Sequence, residues 1–288
     1  MFTGSIVALV TPFNDGEVDF DKLGELVEYH IDNGTNAIIP CGTTGESPTL
    51  SHREHGEVIG KVIKAANGRI PVIAGTGSNN TSEAVSMTRY AKEAGADGSL
   101  LITPYYNKPT QQGIYEHYKA ILEEVDIPII IYNVPSRTGV SISAETVARL
   151  AEFDNIVAIK EATGDIDQTS QILNMCNITV LSGDDSLTLP IMSVGGKGVV
   201  SVLANILPRE VSELTSSILN GEIENAQRLH KSLFPLCKAM FIETNPIPVK
   251  TAMKLLGRLN GEMKLPLCGM SEEHERQLKK VLEEHELI

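Results

Sequence analysis

Short apolar runs alternate with amphipathic stretches along most of the chain. Between the runs, apolar residues recur at the spacing of one helix face, as at Ile114, Tyr118, Ile121, Leu122 and Val125. The runs themselves are typical of buried parallel strands. They lie at residues 5–10, 37–41, 72–75, 98–102, 128–133, 156–160, 179–182 and 198–202. Eight such strands with intervening helices in roughly 220 residues predict an α/β fold, the (β/α)8 TIM barrel.

The strand pattern stops after about residue 224. Helical stretches follow at 222–240, 249–256 and 272–284, and a turn-rich connector lies at 243–248. We therefore predict a catalytic barrel over 1–224 and a small C-terminal helical domain over 225–288. A doubly wound open sheet is the alternative, but the Gly-x-Gly-x-x-Gly turn expected after its first strand is missing, and residues 75–77 supply only a fragment of it.

Charge and cysteine usage narrow the function classes. The 288 residues carry 24 basic and 37 acidic side chains, a net charge of −13, with no long run of one sign. This balance argues against nucleic acid or an anionic membrane as a partner, and it means that an anionic substrate needs local cations. The N-terminal residues 1–12 predict a first strand rather than a signal peptide or membrane span.

The four cysteines, Cys41, Cys176, Cys237 and Cys268, lack the paired spacing of a metal site. We expect reduced thiols, a cytoplasmic protein and no metal. Cys41 is expected to be a small apolar strand residue.

Lys160 is the first candidate for chemistry, because four apolar residues run directly into it and a polar turn follows. A lysine amine normally titrates near 10.4, so a nucleophilic role needs a pKa about three units lower. Apolar walls at the end of a buried strand can supply that shift. The alternative is a lysine that extends from the strand end to solvent.

Polar residues also follow the other predicted strands, at the rim where barrel enzymes place their chemistry. The turn 42–45, Gly-Thr-Thr-Gly, offers backbone N–H groups and hydroxyls to a carboxylate. Tyr132 lies one strand from Lys160 and could shuttle protons. Arg137 brings a fixed positive fork suited to a second carboxylate. A plain tight turn, a packed tyrosine and a surface arginine remain the alternatives.

Together these groups predict Schiff-base chemistry on a 2-oxo acid. The amine attacks the ketone, water leaves, and the positive iminium nitrogen accepts electrons from a neighbouring carbanion. No cluster of metal-ligating residues suggests metal chemistry. Other classes stay open: a lyase of sugar acids, a pyridoxal phosphate enzyme anchored at Lys160, and a non-catalytic sensor of 2-oxo acids.

The motifs resemble those of the dihydrodipicolinate synthase family, pyruvate-dependent class I aldolases that include N-acetylneuraminate lyase. The resemblance spans essentially the whole chain and is carried by residues 42–47, 104–107, 132–139, 159–164, 182–185 and 245–250. It implies that Lys160 condenses with pyruvate, whose carboxylate rests on Thr43 and Thr44. Arg137 would bind the carboxylate of aspartate semialdehyde. The product would be 4-hydroxy-tetrahydrodipicolinate, at the committed step of the diaminopimelate route to lysine.

The resemblance also implies the remaining parts of the site. Tyr132, Thr43 and Tyr106 would form a proton relay, with Tyr106 reaching in from a neighbouring subunit of a homo-oligomer, usually a tetramer. The backbone of Gly183 and Val200 would line the pyruvate pocket, and no cofactor would be needed. Sialic-acid lyases typically have serine at position 43 and lack the arginine, so Thr43 and the arginine favour the synthase.

A second implication of the resemblance concerns regulation. Lysine-inhibited members bind lysine at a dimer interface, where Glu83 would pair with an ammonium group and histidine and tyrosine would hold a carboxylate. The alternative is ordinary surface histidines. The matching residues are Ser47, His52, His55, Asn79, Glu83 and Tyr105.

Overall fold

The computed structural model describes residues 2–288, and its central element there is a sheet of eight parallel strands. Strands β2 and β3 form a separate pair outside this sheet. In chain order the described strands are β1 (Gly4–Ala8), β2 (Phe13–Asn14), β3 (Glu17–Val18), β4 (Ala37–Ile39), β5 (Ile73–Gly75), β6 (Gly98–Ile102), β7 (Ile129–Asn133), β8 (Ile156–Glu161), β9 (Thr179–Ser182) and β10 (Gly198–Ser201). The sheet order is β4-β1-β10-β9-β8-β7-β6-β5. A parallel bridge between Ile38 and Val72 joins its two ends, so the predicted TIM barrel is confirmed.

Helices cover the outside of the barrel and extend beyond it. They are α1 (Phe20–Asp32), α2 (His52–Ala66), α3 (Thr81–Ala94), α4 (Gln111–Glu124), α5 (Pro135–Thr138), α6 (Ala144–Leu150), α7 (Ile166–Met175), α8 (Thr188–Ser193), α9 (Pro208–Leu219), α10 (Ile223–Ala239), α11 (Ile247–Leu255) and α12 (Glu272–Glu284). Within residues 2–288, no helix has the length and apolar composition needed to cross a membrane.

Strand ends differ from the predicted ones where the backbone finds another partner. The first strand ends at Ala8 because the N–H of Val10 donates to Asn205 Oδ1 (3.1 Å). The second strand of the barrel, β4, ends at Ile39, since the proline that follows has no N–H. Cys41 was expected in this strand, and that expectation is wrong: it is buried but has φ +55°, in a left-handed turn.

The sequence pattern did not predict one β-hairpin. Strands β2 and β3 pair antiparallel just after β1. Each contains two residues, which is too short for an alternation to be recognised. This hairpin matters because it lies against the C-terminal segment: the amide of Asn260 donates to the carbonyl of Phe13 (2.8 Å).

Alternation along the strands decides which side chains enter the barrel. Ile130 on β7 and Ala158 on β8 are fully buried in the inner cluster of side chains. Tyr132 and Lys160 lie two residues further along the same strands and therefore face the same interior. The barrel thus places the Tyr132 phenol and the Lys160 amine at the mouth formed by the C-terminal ends of its strands.

The predicted C-terminal helices are present as α10, α11 and α12. They share a hydrophobic core with the barrel, in which Leu229 and Leu233 of α10 belong to the same cluster as Val211 and Leu214 of α9. The division of the chain at residue 224 stays a prediction.

Candidate active site

The centre of the site is the contact between Lys160 and Tyr132. Parallel pairing of β7 and β8 places these residues directly opposite each other. The Lys160 ammonium nitrogen lies 4.0 Å from the centroid of the Tyr132 ring. Lys160 is only 6% exposed, so its side chain does not extend to solvent.

Burial changes the acidity of this amine. Desolvation is the largest influence and lowers the pKa of Lys160; the charge of Asp185 opposes it, the charge of Arg137 adds to it, and the net pKa is about 7. At neutral pH roughly half of the amines are therefore uncharged, whereas an unperturbed lysine is almost wholly protonated. The structure thus supplies the shift that a nucleophilic lysine needs.

Asp185 is the acidic group that opposes this shift, and sequence reasoning gave it no role. Its carboxylate is buried and accepts hydrogen bonds from the backbone N–H groups of Val202 (2.9 Å) and Leu203 (3.0 Å). Burial raises the pKa of Asp185 itself, and the hydrogen bonds counter that effect. The Ser182–Asp185 motif marked this carboxylate as a residue at a strand end. Its hydrogen-bond partners lie in the loop after β10, and no local sequence pattern predicts that contact.

The phenol of Tyr132 is held protonated at neutral pH. Burial raises its pKa to about 12, while the charge of Arg137 and a hydrogen bond with Thr43 act in the opposite direction. Thr43 therefore touches the phenol, as a relay between the two groups requires.

Asn245 connects the two predicted carboxylate-binding residues, and sequence reasoning assigned it no function. Its side-chain amide donates to Thr44 Oγ1 (3.0 Å), and its backbone carbonyl accepts from Arg137 Nη2 (3.1 Å). Its carbonyl oxygen Oδ1 is buried and has no hydrogen-bond partner within residues 2–288. An unpaired buried acceptor at the mouth of a cavity is available to a ligand.

Gly183 lies against the lysine, as predicted for a pocket residue. A Cβ at this position would lie 2.6 Å from the Ala162 Cβ and 3.1 Å from the Lys160 Cε. Only glycine leaves the amine and its stem in their observed place.

A cavity of about 980 Å³ opens at this end of the barrel. The predicted catalytic and binding residues that line it are Thr43, Thr44, Tyr132, Arg137, Lys160 and Gly183. The same cavity extends to members of the predicted lysine site, namely Ser47, His52, His55, Glu83 and Tyr105. The two groups of residues were predicted separately, and the structure places them along one continuous space.

Three predicted residues do not line that cavity. Val200 is buried inside the barrel on β10. Asn79 lies behind Tyr105, whose carbonyl accepts its amide (3.1 Å). Tyr106 is 88% exposed and has φ +69°, so its ring projects away from the chain's own site.

Among residues 2–288, no set of three or more histidine, cysteine, aspartate or glutamate side chains is placed to hold a metal ion. The expected independence from metal stays a prediction.

Comparison with known proteins places this geometry in a family. The model of the dihydrodipicolinate synthetase family matches residues 1–285. The chain belongs to this family. A relative from Geobacter sulfurreducens, named 4-hydroxy-tetrahydrodipicolinate synthase, is 59% identical over the full length of both chains. Full-length relatives with this name bear out the predicted lyase activity.

Two solved members of the synthase family carry ligands. The dihydrodipicolinate synthase from Acinetobacter baumannii, complexed with pyruvate, is 47% identical with a TM-score of 0.98, and all of both chains is covered. The synthase from Cyanidioschyzon merolae with lysine bound is 42% identical with a TM-score of 0.97, covering 100% of this chain and 99% of that one. The predicted family and fold are thereby confirmed.

The acidity of Lys160 generates a prediction that needs no substrate. Acetic anhydride acylates only neutral amines, so the second-order acylation rate of Lys160 should level off above a midpoint near pH 7 and fall about tenfold per pH unit below it. Asp185→Asn should move the midpoint to lower pH, because it removes the charge that stabilises the ammonium. Arg137→Met should move it to higher pH.

Peptide mass spectrometry against pH measures these midpoints, and the exposed Lys280 in the same samples serves as an internal control. A Lys160 midpoint near that of Lys280, or a shift of both variants in one direction, contradicts this account of the site.

Proposed function

We propose that Lys160 is the amine through which this enzyme condenses pyruvate with aspartate semialdehyde to give 4-hydroxy-tetrahydrodipicolinate. The single observation that carries the proposal is a buried amine with a lowered pKa, packed against a phenol at a barrel mouth. The neutral amine attacks the ketone carbon of pyruvate, and loss of water leaves an iminium. The substrate carboxylate then rests on the hydroxyls and N–H groups of Thr43 and Thr44.

Proton transfer is the task of Tyr132 and Thr43 in this proposal. The phenol lies against the amine and within the influence of the Thr43 hydroxyl, so a proton from the pyruvate methyl group can leave along this path. Loss of that proton converts the iminium into an enamine. The enamine carbon attacks the aldehyde of aspartate semialdehyde, and the new alkoxide takes up a proton.

Arg137 positions the second substrate. Its guanidinium faces the same cavity and is oriented by the carbonyl of Asn245 (3.1 Å). A planar fork of donors suits the carboxylate of aspartate semialdehyde. With that carboxylate fixed, the amino group can attack the iminium carbon, close the ring and release Lys160. The cycle uses no cofactor, and we place it in the cytoplasm.

A borohydride experiment tests this function. Reduction in the presence of pyruvate should fix a stable adduct on Lys160, because borohydride reduces the carbon–nitrogen double bond to an amine. Peptide mass mapping locates the adduct. Lys160→Ala should lose both the adduct and the condensation.

Arg137→Ala separates the two substrates. It should keep the pyruvate adduct yet lose condensation by about a hundredfold or more, since orientation of the second substrate is lost. Pyruvate left unattached to Lys160 in the wild-type protein rejects the proposed function; normal condensation by Arg137→Ala rejects only its assigned role. Turnover of a sugar acid alone would favour the lyase alternative.

We further propose that Tyr106 completes the relay in a neighbouring subunit. Its ring is almost fully exposed although its backbone has the strained φ of +69°, and backbone strain of this kind is concentrated at functional sites. An apolar ring of this exposure is suited to an interface. The active enzyme is then a homo-oligomer, a tetramer by resemblance.

Mixed oligomers test this arrangement. Tyr106→Phe should lower kcat by about a hundredfold while retaining the pyruvate adduct, because one relay hydroxyl is lost. Lys160→Ala is inactive on its own. Co-assembled Tyr106→Phe and Lys160→Ala subunits should regain activity, since some sites then combine an intact lysine with a neighbour's intact tyrosine. Failure to regain activity, or sedimentation of the wild type as a monomer, contradicts the proposal.

Lysine is proposed as an effector at the far end of the cavity. Glu83 Oε1 lies 2.8 Å from His52 Nε2, and its other oxygen accepts from Ser78, so the carboxylate is fixed for an ammonium group. Burial lowers the pKa of His55 to about 4, and its Nε2 has no hydrogen-bond partner among the described residues. The other ring nitrogen donates to the backbone of Gly75, so the unpaired Nε2 of this neutral ring is an acceptor that suits the ammonium group of lysine.

Calorimetric titration with L-lysine checks the effector proposal. Glu83→Gln should weaken lysine binding at least about tenfold, because a charge-assisted hydrogen bond is replaced by a neutral one. Glu57→Gln, an exposed acid on the same helix α2 as His52, is the matched control and should bind as the wild type does. Equal affinities for the three proteins, or no inhibition of the wild type, contradict the assignment.

A further inference from the structure

A buried ion pair lies directly behind the turn that is proposed to receive pyruvate. Lys250 Nζ is 2.6 Å from Glu46 Oε1, and the two side chains are 1% and 0% exposed. The ammonium also donates to the carbonyl of Thr11 (2.8 Å) and lies 4.3 Å from the centroid of the Phe13 ring. None of the substrate chemistry described above uses these groups.

Buried ion pairs contribute little net stability, because desolvation of the two charges offsets their attraction. Replacement by apolar or neutral groups of similar volume is often harmless to folding. The location of the pair, rather than its energy, is therefore what needs explanation.

Glu46 closes the turn that carries the two threonines. Its backbone N–H donates to the carbonyl of Thr43 (3.1 Å), and it holds φ +56°, which a residue with a Cβ rarely adopts. The second carboxylate oxygen accepts from the backbone N–H of Lys264 (3.0 Å). Thr11, whose carbonyl accepts from the Lys250 ammonium, also donates its hydroxyl to the carbonyl of Gly45 (2.7 Å). The strained residue is thus held through both oxygens of its side chain.

The front of the same turn is held by the same C-terminal segment. Asn245 donates to Thr44 Oγ1 (3.0 Å), and Lys250 lies five residues further along, on α11. One stretch of chain therefore fixes the turn from the cavity side and from behind.

We propose that Glu46 and Lys250 are positioning residues: their buried ion pair holds the turn 43–46 in the conformation that receives the pyruvate carboxylate, so that helix α11 sets the affinity for pyruvate. The inference rests on the proposed function, in that Thr43 and Thr44 are taken as the carboxylate site. Neither member of the pair lines the cavity.

The test replaces both charges at once. Glu46→Gln with Lys250→Met removes the ion pair without leaving a buried unpaired charge, so the melting temperature should stay within a few degrees of the wild type. The pyruvate concentration that half-saturates borohydride-trapped adduct formation should rise about tenfold or more, because the turn loses its alignment. At saturating pyruvate, kcat should fall less than about threefold.

A second ion pair from the same segment supplies the matched control. The side chains of Lys264 and Glu54 are paired and tie the segment to helix α2; Lys264 contacts Glu46 only through its backbone N–H, which the substitution retains. Glu54→Gln with Lys264→Met should leave half-saturation by pyruvate unchanged. This control separates loss of the turn's support from a general loosening of the C-terminal segment.

The outcomes are distinct. Wild-type half-saturation in the Glu46/Lys250 double variant overturns the inference, as does an equal loss in the control pair. If the double variant does not fold, Glu46→Gln alone replaces it: burial already lowers the pKa of Lys250, so the amine can lose its proton once Glu46 is neutral. This variant should show the same rise in half-saturation, and wild-type behaviour overturns the inference. Absence of any adduct in the wild type is instead a failure of the proposed function.

Discussion

Desolvation of one amine is the constraint on which the rest of this structure depends. Lys160 lies inside a barrel mouth whose walls are apolar side chains and one aromatic ring, and this burial lowers its pKa to about 7. An ammonium group taken out of water requires either a close counter-ion or a readily lost proton. Asp185, the acidic group that influences this amine, accepts hydrogen bonds from the backbone of residues 202 and 203 through Oδ2 and from the Ser201 hydroxyl through Oδ1. It therefore moderates the shift without pairing with the lysine.

The barrel suits this constraint because its interior is built by several strands at once. Lys160 comes from β8, Tyr132 from β7, and Gly183 follows β9. Each of these strands places one residue at the same height in the barrel mouth: a phenol, an amine and a glycine without a side chain. A Cβ at position 183 would meet both the lysine stem and its neighbour, so the missing side chain is as necessary as the amine. Reactivity here is a property of the assembled rim rather than of any one segment.

Sequence patterns could predict those parts of the site that follow from strand order. Tyr132 and Lys160 end consecutive apolar runs, and consecutive parallel strands in a barrel are neighbours, so their contact was foreseeable. The polar ends of the runs likewise placed Thr43, Thr44 and Arg137 on one rim. Asn245 was not foreseeable, because it lies 201 residues along the chain from Thr44 and belongs to a connector outside the barrel pattern.

Two further features lay beyond sequence reasoning for different reasons. The left-handed conformation of Cys41 follows from tight packing of the turn against β5, where the Cys41 carbonyl comes within 2.3 Å of where a Gly75 Cβ would lie. No propensity of cysteine predicts it. The length of the cavity was equally hidden, since its walls combine residues from several loops whose paths depend on packing.

The C-terminal segment restrains the turn at the barrel mouth, although its helices add no strand to the barrel. Barrel loops are tethered only at their two ends, yet a carboxylate site needs its donors held to a fraction of an ångström. Residues 245–264 provide that restraint from outside: Asn245 holds Thr44 and Arg137, and Lys250 and the N–H of Lys264 hold Glu46. The buried charges require alignment of α11 with the turn, because any displacement leaves an ion without its partner in a region that excludes water. Helix α11, packed across the turn 43–46, thereby restrains its conformation.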